Sequence, residues 1–194
     1  MESHKLSFKL FAEDGASLKG HEFVHVFHSW IQQNRITDHL VIDVADYEHV
    51  PDGPGTLLVT LEANFSTDLE AGRLGLLYVR KRPIPNSDSF AQRLRIVLRS
   101  VVQAAKWLQE DPSLAGKLKF RTDELQFRIY DRLLAPHAPE TFAAVKGDLE
   151  KLVAGAWGAA PALMNFVPAE QSLFEVQIKA PSSPTLGQLL ERLA

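Results

Sequence analysis

Residues 5–12 alternate, with Leu6, Phe8 and Leu10 on one side and Ser7 and Lys9 on the other, the period-two pattern of a half-buried strand. The period then changes. Phe23, Phe27, Trp30 and Ile31 recur at helical spacing and predict a helix over 18–33, N-capped by Ser17 and ended by Asn34 and Arg35. A largely apolar run at 39–45 predicts a strand, and Pro51, Gly53, Pro54 and Gly55 behind it exclude regular structure. Alternation returns at 56–63 and 73–80, two strands expected to form a hairpin about a turn at 66–72. Pro83 and Pro85 break the chain. A long helix, capped by Ser87 or Ser89, is expected from there to Gln109, with Phe90, Leu94, Val97, Leu98, Val101, Ala105 and Leu108 as its buried stripe. Residues 117–121 and 125–133 predict a second hairpin about Thr122 and Asp123. A helix over 140–156, strands at 162–167 and 173–179 and a short helix at 185–193 complete the pattern.

These elements predict an α/β or α+β fold, a mixed, antiparallel-rich sheet with about four helices on its faces. They divide the chain into a larger half, 1–112, and a smaller half, 113–194, packed together as one globular unit. Both halves run strand, helix, strands, helix. Leu6-Ser7-Phe8-Lys9-Leu10-Phe11 matches Leu125-Gln126-Phe127-Arg128-Ile129-Tyr130 in residue class at a spacing of 119 residues, and Phe23 and Phe142 repeat that spacing. Two related halves with a ligand groove between them is one expectation this raises. The other is chance likeness between two strands that each carry an inward Phe.

Composition narrows the class. The 194 residues are 45% hydrophobic and 23% charged, with a mean hydropathy of -0.09, which excludes disordered and collagen-like chains. No run of 18 apolar residues is present, so no membrane partner is expected. Met1–Lys5 carries no apolar segment behind a basic end, and a cytoplasmic protein is expected. The absence of cysteine excludes disulfides, thiol catalysis and cysteine-bound metals. Net charge is -3, but Arg80 to Arg132 holds twelve Lys/Arg against six Asp/Glu. A basic middle between acidic flanks reads first as solvated faces, and nucleic acid is not an expected partner because nucleic-acid domains are basic overall.

Candidate chemistry concentrates after the 39–45 strand. Asp43, Asp46, Tyr47, His49, Asp52 and Gly53 put acids and an imidazole at a strand end, where loops hold sites. Asp46 and His49 are the candidate acid–base pair, since a carboxylate orients imidazole. Asp43, Asp46 and His49 with His28 are the candidate ligands of a divalent metal, the one cofactor the sequence suggests. An acidic turn shaped by Pro and Gly is the structural alternative. His21, His25 and His28 fall on one face of the first helix, nearly opposite its apolar stripe. Arg80 or Arg82 could hold an anion with the helix start at Ser87–Ser89, and Arg73 and Tyr78 with Tyr47, Asp52, Gly53 and Arg80 are the candidate ligand-binding residues. No phosphate-binding loop, dinucleotide fingerprint, serine-hydrolase elbow or RNA-binding aromatic signature is present. The reading that follows is a non-catalytic binding or assembly protein that self-associates and could take a small ligand. The alternatives are a small metal-dependent or acid–base enzyme centred on 43–52, and anion or RNA binding through the basic middle.

Overall fold

In the computed structural model of the chain, residues 1–13, 18, 20–50, 53–166 and 173–194 are described. They form one eight-stranded antiparallel sheet and four helices, so the mixed α/β expectation holds. The strands are β1 (Leu6–Ala12), β2 (Val41–Asp46), β3 (Thr56–Thr60), β4 (Ala63–Asp68), β5 (Gly75–Arg80), β6 (Phe120–Ile129), β7 (Leu163–Phe166) and β8 (Phe174–Lys179). The helices are α1 (Gly20–Gln32), α2 (Phe90–Gln109), α3 (Pro139–Trp157) and α4 (Leu186–Arg192). The spatial order is β2-β3-β4-β5-β1-β6-β8-β7.

The central pair β1–β6 organises everything else. From β1 the chain crosses through α1 to the edge strand β2 and returns strand by strand to β5, beside β1. From β6 it crosses through α3 to the opposite edge strand β7 and returns through β8, beside β6. One face carries the core. Leu6, Phe8 and Leu10 of β1, Leu76 and Tyr78 of β5, and Leu125, Phe127 and Ile129 of β6 are all buried beneath the helix layer. In that layer α2 lies on β1 and β5, α1 lies on β2 and β3, and α3 and α4 pack against α2. The predicted stripe of α2 is buried throughout, and its start is the capping box Ser89–Gln92, one of the two expected caps. The other sheet face carries Ser7, Lys9, Glu124, Gln126 and Arg128, the alternate residues of the same strands.

Three expectations are corrected. The turn placed at 66–72 is strand to Asp68, because 56–63 breaks at residues 61–62 and β4 pairs with both β3 and β5. The hairpin expected between 56–63 and 73–80 therefore has β4 inserted in it. The hairpin about Thr122 and Asp123 is one continuous strand, β6. Thr122 is locked there because its hydroxyl donates to the Pro184 carbonyl at 2.7 Å and its own carbonyl accepts from the Trp157 indole at 2.7 Å. The cap expected at Ser17 lies outside the described residues.

Candidate functional site

The acidic segment after 39–45 proves to be the edge strand β2 and its turn. Asp43, Asp46, Tyr47 and His49 are all exposed. Each carboxylate serves the nearby backbone. Asp43 Oδ1 accepts from Val44 N at 2.8 Å, and Asp46 Oδ1 accepts from Glu48 N at 2.9 Å. The Tyr47 and His49 rings stack at 6.4 Å. Gly53 N donates to the Val50 carbonyl at 3.0 Å, and Asp52 lies outside the described residues. His28 is exposed on α1 beside His21 and His25, on the face expected. Among the described residues no group of three His, Asp or Glu side chains is placed to hold a metal ion, so the proposed ligand set does not converge.

Arg73, Tyr78 and Arg80 go to separate places. Tyr78 and Arg80 share a face of β5 as their spacing requires, but it is the buried one. Arg80 gives Nε to the Arg82 carbonyl at 2.8 Å and Nη2 to the Pro83 carbonyl at 3.1 Å, which leaves it shaping the exit of β5. Arg73 belongs to the β4–β5 connection on the opposite face. It stacks 3.8 Å over the Phe11 ring and makes a two-pronged contact with Glu124, 2.8 Å on each arm. That contact holds the Glu124 carboxyl below the usual carboxylate range. Beneath it Lys9, 1% exposed, pairs with Asp68 and donates to the Arg73 carbonyl at 2.9 Å. Burial lowers the Lys9 pKa, and Asp68 opposes that shift. Glu70 of the same connection reaches Arg128 at 2.5 Å. The basic middle is spent on such contacts: Arg93, Arg95, Lys106, Lys117, Lys119, Arg121 and Arg128 all have carbonyl or carboxylate partners.

A different constellation, not singled out by motif or spacing, lies between β4, β5 and α2. His39 is buried, with Nε2 2.8 Å from the Tyr78 hydroxyl and Nδ1 2.8 Å from Asp38 Oδ1. The carboxylate beside Nδ1 favours the tautomer with its proton there, so that Nε2 accepts from Tyr78. Burial pushes the Tyr78 hydroxyl up, and the His39 contact holds the exposed Asp38 carboxyl below its ordinary value. Asp38 and His39 open onto a cavity of about 110 Å³ walled by Ile36, Phe65 and Trp107 and rimmed by Arg99 and Gln103 of α2. The sequence held two signals for it: a His opening an apolar run, and an Arg–Gln pair one helical turn apart beside a Trp.

The two sheet edges differ in chemistry. β2 carries devices that blunt an edge. Its register slips between Val41 and Asp43, leaving Ile42 bulged outward, and Asp43 covers the Val44 N–H. Residues 38–50 also hold Asp38, Asp43, Asp46 and Glu48 without one Lys or Arg. β7 pairs with β8 without a register shift, contains no proline, and lies in a run from Gly158 to Phe166 with no charged residue. Its Leu163 is 47% exposed. Among the described residues no helix is long and apolar enough to cross a membrane. No family model, curated protein or solved structure matches this chain.

Proposed function

We propose that this protein is a non-catalytic assembly protein that pairs with a second copy of itself through β7. The observation that carries the reading is the contrast between the edges. An edge strand presents a row of free N–H and C=O groups that another strand can complete, and proteins ordinarily protect such rows. β2 has a bulge, a side-chain cap and two acids, with Asp38 and Glu48 flanking it, whereas β7 has no bulge and no charged residue. A two-fold axis at an edge sets like against like. At β2 it would oppose acid with acid, which is unfavourable for cross-strand pairs. At β7 it opposes uncharged residues and covers Leu163. The product is a continuous sixteen-stranded sheet.

β7 spans only four residues. Its pairing supplies few hydrogen bonds, so association is weak and concentration-dependent. Sedimentation velocity from about 1 μM to about 1 mM, the range of weak specific affinities, is the test. The wild-type chain should move from monomer to dimer. A Leu163→Lys, Asn165→Lys variant, both changes at exposed positions, should stay monomeric with an unchanged melting curve. A wild-type chain that stays monomeric throughout, or a variant that dimerises equally well, overturns the reading.

A further inference from the structure

The cavity beside His39 is remote in the sheet order from the β7 edge and plays no part in self-pairing. Its walls are apolar: Ile36 follows α1, Phe65 comes from β4, and Trp107 from the last turns of α2. Its rim is charged, with Asp38 on the α1–β2 connection and Arg99 on α2, and the amide of Gln103 one helical turn from Arg99.

Arg99 is not consumed by the fold as the neighbouring arginines of α2 are. Arg99 makes no hydrogen bond or ion pair with a described residue, although its neighbours Arg93 and Arg95 are both bound to carbonyls. Asp38 keeps its side chain 74% exposed, with one of its oxygens 2.8 Å from His39 Nδ1. His39 is itself fixed from behind by Tyr78. That chain of contacts makes His39 a positioning residue, holding an ionised carboxylate at the cavity mouth.

We propose that this cavity binds a small zwitterion with an apolar body, an α-amino acid with an aliphatic side chain. The ammonium group faces Asp38, the carboxylate faces Arg99 and Gln103, and the side chain lies against Ile36, Phe65 and Trp107. A purely anionic ligand would meet Asp38, and a purely cationic one would meet Arg99. The zwitterion is the class for which neither charge is misplaced. Size sets the side chain. The cavity of about 110 Å³ is smaller than the ~150 Å³ site that admits benzene, which limits the apolar body to about four or five carbons.

The test is an NMR titration of the full chain with L-leucine, followed at the Trp107 indole. The comparison probes are 4-methylpentanoate, which lacks the ammonium, and 3-methylbutylamine, which lacks the carboxylate. L-leucine should saturate with a Kd of about 1 mM or tighter, and each comparison probe should bind at least about tenfold more weakly. Arg99→Gln should weaken L-leucine about tenfold while sparing the amine, and Asp38→Asn should weaken it while sparing the acid. Both positions are exposed, so the variants should melt with the wild type. No saturable binding of L-leucine, equal binding of all three probes, or equal loss of all three in both variants would overturn the assignment.

Discussion

Phe8 of β1 and Phe127 of β6 stand directly opposite one another at the centre of the sheet, their ring centroids 5.0 Å apart. They are also the residues that correspond at the 119-residue spacing. The register extends the relation: Leu6 faces Ile129, the counterpart of Leu10, and Leu10 faces Leu125, the counterpart of Leu6. The same spacing carries Gly20, where α1 begins, to Pro139, where α3 begins. β1 and β6 therefore pair about a local two-fold axis between the phenylalanines.

That pair should dominate the core. Phe8→Ala and Phe127→Ala should each cost about 3–5 kcal/mol, the range for a fully buried ring. Because the rings touch, the double variant should cost less than the sum of the singles by at least about 0.5 kcal/mol. Denaturant unfolding of the four proteins gives the cycle, and strict additivity would show that the rings do not share one contact.

Glycine substitutions should split by site. A Cβ on Gly75 would lie 2.6 Å from the Leu10 carbonyl and 2.6 Å from Lys9 Cε, so Gly75→Ala should destabilise by about 1–3 kcal/mol through overpacking. Gly147 of α3 has open space about it, and Gly147→Ala should stabilise by about 0.5–1 kcal/mol by raising helix propensity. Melting curves decide the signs. A neutral Gly75→Ala would mean that the buried Lys9 is not packed against β5.

Acid should loosen the β4–β5 connection. Arg73 lowers the Glu124 pKa below 4.5, so the unfolded chain takes up that proton more readily than the folded one. The stability this supplies is complete above the ordinary carboxylate range and is lost as pH falls through it toward the folded value. The difference in unfolding free energy between wild type and Glu124→Gln should be greatest near neutrality and shrink as pH falls below about 5. A pH-independent difference would place the contribution of Glu124 in packing.

Much of this fold is legible where one face of an element is apolar and the other polar. β1, α2 and β8 are of that kind, and their sequences alternate or repeat accordingly. β4 is not, because Asn64, Ser66 and Asp68 face the side of the sheet without helices and Phe65 is its one large core residue. β6 hides for another reason: Thr122 and Asp123 have turn chemistry, and partners far along the chain, Trp157, Ala180 and Pro184, hold them extended. The density of acids at 43–48 reflects an edge strand and turn that cap their own backbone. The cavity left only local hints, because His39 and its hydrogen-bond partner Tyr78 are 39 positions apart and nothing in the sequence relates them.

The central claim is that β7 meets β7 across a two-fold axis. The chain contains no cysteine, so a single Asn165→Cys substitution gives one site for a spin label, on the sheet face rather than in the strand-pairing direction. Dipolar spectroscopy on concentrated protein should give an interspin distance within about 20 Å, since paired strands lie ~4.8 Å apart and four residues span ~13 Å. A label at Ile42→Cys, on the opposite edge, should give no distance under about 60 Å in the same dimer. A short distance from Ile42 and none from Asn165 would contradict the account, and so would the absence of any dipolar signal from Asn165 at concentrations where the chain sediments as a dimer.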